Sequence, residues 1–281
     1  MKKIHFNEKQ KNRINNGIAV LVVIIFLFPI YWVVVSSLKI DQEIFRKPPT
    51  LIPYQPTLTA YIQQFTGSSS VFRPFLNSVI VAVGSMVICL TLSVPAAYGL
   101  ARYKVKGSKF FMLVFLVTQM LPASLVLTPL YLIYSKLGLL NNYLAPILST
   151  ATVSVPFVIL MLRPIFLNCP IELEEAARID GCNRLSAFIR IIVPISKPGI
   201  VTAFSFGFIM AWNDLAYSMT FNTKEAMRPM TAGIYQFLTL YGTRWNMIMA
   251  YGVLLILPIV ILFMSLQKHI VSGLVSGAVK G

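Results

Sequence analysis

Six runs of about 20 or more mainly apolar residues decide what this chain can become: roughly 17–38, 75–101, 108–134, 142–167, 199–221 and 246–267. A helix of that length crosses the hydrocarbon core of a bilayer. Lipid offers the backbone no hydrogen-bond partner, so each run must satisfy its own peptide groups as a helix. The expected fold is all-α, a polytopic membrane protein with six transmembrane helices. Charged residues make up only 12% of the chain, about half their share in soluble domains. The first run follows Lys2, Lys3, Lys9, Lys11 and Arg13. It is too long for a signal peptide and lacks a small-residue cleavage site, so it reads as a retained anchor.

Six spans put both termini on one side. With the termini inside, the inner segments hold sixteen Lys and Arg and the outer ones eight. That bias places both termini in the cytoplasm. It also explains the net charge of +15 as membrane topology, with no nucleic acid among the partners. The expected layout is a cytoplasmic tail 1–16, a six-span domain 17–267 containing a cytoplasmic loop 168–198, and a cytoplasmic tail 268–281. Cys89, Cys169 and Cys182 have no paired spacing and read as unpaired thiols, without a metal site. Proline falls inside the runs at Pro29, Pro95, Pro122, Pro129, Pro146, Pro156 and Pro258. Each removes a backbone donor and can kink its helix, which suits a bundle around a cavity.

The loop 168–198 is a polar island between two apolar runs. Pro170 suits a first helical turn, and Glu172, Glu174 and Glu175 favour the positive end of a helix. Gly181 can adopt the left-handed conformation that ends it. Asn183 caps a second helix through Ile192, with Leu185, Phe188, Ile189 and Ile192 on one side, and Pro194 stops it. A surface-lying membrane helix would be Lys-rich with large apolar residues. The first helix is instead acidic and small-faced at Ala176 and Ala177, which fits a protein groove.

Glu175-Ala176-Ala177, three residues, Gly181, nine residues, Ile191, then Val193-Pro194 resembles the coupling motif of ABC-importer permease subunits, with Val193 where the family pattern has Leu. Four further stretches are similar to the second permease subunit of carbohydrate importers of the maltose type. They are Ala96-Ala97-Tyr98-Gly99-Leu100-Ala101-Arg102, Thr118 to Pro122, Ala211-Trp212-Asn213-Asp214 and the tail Gly273 to Gly281. The resemblance implies a heterodimer with another permease, two ATPase subunits, and an extracytoplasmic sugar-binding protein. It implies sugar uptake through the membrane of a bacterium or archaeon. It also implies that Glu174, Glu175, Ala176, Ala177, Asp180, Gly181 and Pro194 form the coupling site for the ATPase. No phosphate-binding Gly-rich loop occurs here, so this chain needs no cofactor and is not itself an enzyme; ATP and Mg belong to the ATPase subunits. The same architecture with a different solute, a polyamine or phosphorylated polyol, is the alternative, and a stand-alone channel or carrier is a third.

Within the spans, Asp214 is the notable acid, and an intramembrane acid marks function by default. Asn213 and Asp214 are candidates for the sugar path or for bonds to a partner span. Gln119 is a weaker one, with inter-helix bonding as its other role. Outside, residues 48–58 read as a Pro-stiffened extended strap. Tyr235, Phe237, Tyr241, Gly242 and Trp245 form either an interfacial aromatic belt or a contact for the binding protein.

Overall fold

The structure is a computed structural model that describes residues 8–67, 70–239 and 242–278. In chain order the helices are α1 (Glu8–Ser37), α2 (Asp41–Ile44), α3 (Thr59–Thr66), α4 (Phe72–Arg102), α5 (Ser108–Met120), α6 (Ala123–Lys136), α7 (Leu144–Asn168), α8 (Glu172–Ile179), α9 (Arg184–Ala187), α10 (Val193–Ile195), α11 (Lys197–Trp212), α12 (Ala216–Phe221) and α13 (Trp245–Ala278). A two-residue hairpin, β1 (Leu238–Thr239) with β2 (Gly242–Thr243), pairs antiparallel. The fold is all-α apart from that hairpin. Among the described residues, four helices are long and apolar enough to span a membrane, and two bent pairs bring the number to as many as six.

The bent pairs show where apolar runs do not give straight helices. The expected span 108–134 is broken by 97° between α5 and α6. Leu121 is extended (φ −76°, ψ 125°) and Pro122 starts α6. A residue before proline avoids the helical region, and proline supplies no donor to continue α5. The second bent pair, Arg184–Ile195 with α11, turns by 75°; separately, the expected fifth span, 199–221, is interrupted after Trp212, and α12 restarts the helix at Ala216. Pro29, Pro95, Pro129, Pro156 and Pro258, by contrast, lie inside continuous helices.

The chain divides into two compact units. The larger, Val71–Gly233 with Leu257 onward, is built on α4, α7 and α11. Their contact is close because the facing residues are small. A Cβ at Gly84 would lie 2.8 Å from Ile147 Cδ1, and one at Gly207 only 2.7 Å from Met86 Sδ. Ser85 Oγ donates across to the Ile147 carbonyl at 3.1 Å, and Ser93 Oγ to Val155 at 3.3 Å. Small residues and hydroxyls replace the missing hydrophobic drive between helices in lipid. A side cluster of Tyr134, Ala145, Tyr217 and Phe221 joins α6, α7 and α12, with the Tyr134 and Phe221 rings edge-on at 5.0 Å.

One end of this unit is stitched by side-chain amides, the first of them buried. Asn77 Nδ2 donates to the carbonyls of Ala226 and Arg228, both at 2.9 Å, while its Oδ1 accepts from Tyr143 Oη at 2.7 Å. Asn141 holds a left-handed φ of 56°, which Asn tolerates. Its Oδ1 accepts from Thr223 N–H at 2.9 Å and Lys224 N–H at 3.2 Å.

The smaller unit contains the described residues up to Ser70 together with Ile234–Ile256. Residues 48–58 are not the straight strap expected; the backbone bends repeatedly between Lys47 and Gln55. It is tied back at the end of α1. Lys39, almost fully buried, lies over the Trp32 ring at 4.8 Å and donates to the Thr50 carbonyl at 2.5 Å. Glu43 Oε1 accepts from Thr50 Oγ1 at 2.7 Å and Tyr54 N–H at 3.0 Å. Burial raises the pKa of Glu43, but these bonds and the Lys39 charge outweigh it and hold the carboxyl below its usual range.

Replacing Gly207 by leucine should overpack the α4–α11 contact, a change costing about 1–3 kcal/mol. The melting temperature of the purified protein should fall. Gly17, which has nothing within 4 Å of a built Cβ, should accept leucine without change, and equal melting of both variants would contradict this packing.

Candidate functional site

The island folds as an acidic helix, a turn and a second helical segment. In α8 the first-turn acids Glu172, Glu174 and Glu175 lie near the helix's positive end. Ile171 is the N-cap, so Pro170 precedes the helix and does not sit in its first turn. Gly181 takes φ +88°. Its N–H donates to Arg178 at 3.2 Å and the Cys182 N–H donates back to Ala177 at 2.9 Å. This is a complete Schellman ending, and it needs the left-handed residue that glycine provides. Asn183 then caps α9, its Oδ1 accepting from Ser186 N–H at 2.8 Å.

Two expectations for the second segment are corrected. Pro194 does not end it. A π turn, Phe188–Ile192, passes into α10, which contains Pro194, and the bend comes at Ser196, before α11. In the π turn Val193 N–H reaches the Phe188 carbonyl, so the ladder has already changed register where proline brings no donor. Leu185, Phe188, Ile189 and Ile192 also do not share one environment. Phe188 and Ile192 are buried, whereas Leu185 and Ile189 are exposed. They form two adjacent i, i+4 rows, and only one is covered.

Against Phe188 packs the last turn of α4. The Tyr98 ring lies 4.4 Å from the Phe188 ring and 5.9 Å from Phe166. Tyr98 Oη donates to Glu174 Oε2 at 2.9 Å. Arg102 Nε pairs with Glu174 Oε1 at 2.6 Å, with 10% and 15% of the two side chains exposed. Arg102 Nη2 reaches the Cys169 carbonyl at 2.7 Å. Glu174 is therefore turned inward onto its own chain. Glu175, Ala176, Asp180 and Gly181 are exposed, and Ala177 is buried. Beside them Ile179 is 86% exposed. A cavity of about 260 Å³ opens next to the Arg102–Glu174 pair, lined by Tyr98, Tyr103, Glu175, Arg178, Arg184 and neighbours. The sequence reading overlooked Arg102 and Tyr98 as partners of the island. The available signal was a basic residue ending an apolar run on the island's own expected side of the membrane.

The other candidate residues do not gather into one site. Gln119, in the last turn of α5, donates through Nε2 to the Val153 carbonyl of α7 at 3.0 Å. Asn213 is exposed at the end of α11. Asp214 does not lie within a continuous span. It sits at the break, where Oδ1 accepts from Tyr217 N–H at 3.0 Å and Oδ2 from Ser218 N–H at 2.9 Å and Ser218 Oγ at 2.6 Å. The carboxylate is the cap of α12. In the smaller unit, Tyr235 is exposed, and Trp245 meets Phe45 edge-on at 6.2 Å. Gly242 has φ +132°. Phe237 is buried against Tyr251 at 5.6 Å, so it anchors the hairpin and presents no ring to a partner. Tyr241 lies outside the described residues.

Residues 90–276, which include the whole island, match the family described as the inner membrane component of binding-protein-dependent transport systems. The chain belongs to that family. It is a transport permease, and its relatives agree along nearly their whole length. It is 37% identical to a sulfoquinovosyl glycerol transport permease of Agrobacterium fabrum, over 91% of this chain and 89% of that one. A diacetylchitobiose uptake permease of Streptomyces coelicolor is 34% identical over 95% and 96%. A trehalose/maltose transport permease of Thermococcus litoralis is 33% identical over 94% and 95%. The fold matches a chain of a bacterial ABC transporter that imports alginate, with a TM-score of 0.77 at 21% identity over 95% and 99%.

Gly181→Val forces a β-branched residue into the left-handed region, where side chains cost about 1–2 kcal/mol. Hydrogen exchange at the Cys182 amide should accelerate in this permease, while Gly181→Asn changes it less. Asp214→Ala should cost about 0.5–2 kcal/mol as a lost cap, with faster exchange at the Tyr217 and Ser218 amides. Protection equal to wild type would show that the carboxylate does not hold α12.

Proposed function

We propose that this permease forms, with a second and different permease subunit, the membrane pathway of an importer for sugars or oligosaccharides. ATP hydrolysis on two partner ATPase subunits, which carry the ATP and Mg, drives it. An extracytoplasmic sugar-binding protein delivers the substrate. The proposal places the six-span region 17–267 in the cell membrane of a bacterium or archaeon, with both termini and the loop 168–198 in the cytoplasm. The observation that carries it is the island's geometry. An acidic, small-faced helix, ended by Gly181 and braced from behind, leaves Glu175, Ala176, Ile179 and Asp180 exposed. An exposed apolar and acidic face on a rigid element suits a protein groove. The sugar assignment rests on the relatives, whose substrates include sulfoquinovosyl glycerol, diacetylchitobiose and trehalose/maltose.

In this reading Glu175 meets a basic residue of the ATPase groove, and Gly181 sets the angle between α8 and α9. Glu174 braces the element from inside. The hairpin 238–243, with Tyr235 and Trp245 beside it, faces the binding protein. Gln119 and Asp214 shape the pathway by fixing the α5–α7 contact and the start of α12, and Asn213 offers an exposed amide beside that break.

The deciding experiment purifies the complex with its binding protein and measures ATP hydrolysis across trehalose, maltose, chitobiose, arabino-oligosaccharides, polyamines and glycerol phosphates. Stimulation by one or more saccharides and by none of the others is expected. Stimulation by a polyamine or a phosphorylated polyol alone would replace the sugar assignment. Glu175→Lys should release the ATPase subunits or uncouple their hydrolysis; normal assembly with normal transport would remove Glu175 from the interface. A cysteine at Thr243 should crosslink to the binding protein when ATP is bound, and failure in every nucleotide state would leave the hairpin as an interfacial belt.

A further inference from the structure

The island is joined by the chain itself to α7, through Cys169, and to α11, through Ser196. Nothing covalent joins it to α4, yet α4 is one of the three helices at the centre of the larger unit. The link is made by side chains from one turn. Arg102 holds Glu174 at 2.6 Å and the Cys169 carbonyl at 2.7 Å. Tyr98 reaches Glu174 in α8 through its hydroxyl, and Phe188 in the π turn through its ring. Arg163 of α7 adds a bond to the Leu100 carbonyl at 3.2 Å. One turn of α4 thus grips both halves of the island and the end of α7.

We propose that Arg102 and Tyr98 are positioning residues that carry displacement of the island into α4, so that α4 moves with it as one body. The proposal rests on the reading that ATPase subunits move this island. Little of either side chain is exposed, so removing one partner leaves a largely buried charge uncompensated. The aromatic contact adds shape: the Tyr98 ring lies against Phe188, so a push on the second half of the island reaches α4 by repulsion. A pull on the first half reaches it through Glu174. The pair therefore transmits in both directions, which a docking surface alone would not require.

The test has two readouts on the complete complex. The first is solute imported per ATP hydrolysed. Arg102→Gln and Glu174→Gln should keep their ATPase subunits but raise ATP consumed per solute by about fivefold or more, the lower edge of ordinary inter-site coupling. Tyr98→Phe keeps the ring and loses one bond, so it should give a smaller rise. The exchange Arg102→Glu with Glu174→Arg should recover part of the loss. The second readout needs no substrate. Spin labels at Leu92 in α4 and Arg190 in the island, both exposed, in a Cys182→Ser background, should keep one separation with and without ATP, and Arg102→Gln should broaden it. The proposal is overturned if the single variants couple normally, or if they shed the ATPase subunits, since the pair would then build the docking surface. It is equally overturned if the labels move apart by about one helical turn, 5 Å, with the pair intact. A wild-type complex that no sugar stimulates would fail the substrate assignment instead, and the label separation still decides the role of α4.

Discussion

Helices in lipid have almost nothing to gain from hiding apolar surface against each other, because the tails are as apolar as the side chains. Cohesion in the larger unit comes from close approach and from hydrogen bonds across interfaces. Gly84 and Gly207 let Ile147 and Met86 sit directly on neighbouring backbone. Ser85, Ser93 and Gln119 each reach a carbonyl of α7. A side chain that bonds a carbonyl across an interface also fixes the axial register of two helices, which apolar packing alone does weakly.

The same scarcity of partners governs the breaks. Where a helix stops at membrane depth, its freed amides need an acceptor that is not water. The chain solves this with its own polar residues. Asp214 does so at the break before α12, where its carboxylate accepts from the Tyr217 and Ser218 amides. The polar residues that look functional in so apolar a sequence are thus largely occupied with backbone. Gln119 and Asp214 are held apart by that occupation, while Asn213 is exposed.

The length of the apolar runs made the membrane class legible, and the island's acids, small residues and glycine made its helix–turn–helix form legible. Boundaries were less so. A run such as 108–134 stays apolar through a 97° bend, since composition is blind to direction. Pro122 breaks while Pro95 and Pro156, well inside α4 and α7, do not, because a proline inside a helix with packed neighbours can be tolerated. The inward turn of Glu174 and the burial of Phe237 are tertiary facts. Each depends on a residue far along the chain, Arg102 at 72 positions in the first case and Tyr251 in the second. Identical neighbours in sequence, Glu174 and Glu175, end in opposite environments for that reason.

The island's two ends also meet. Cys169 Sγ lies 3.4 Å from Ser196 Oγ, 27 residues later in the chain. A segment whose entry and exit are side by side occupies one footprint on its scaffold, whatever its internal length. Lengthening it costs only a slowly growing closure entropy, and its neighbours need not shift to accommodate it. Such a segment can lengthen in its exposed parts while α7 and α11 on either side keep their spacing.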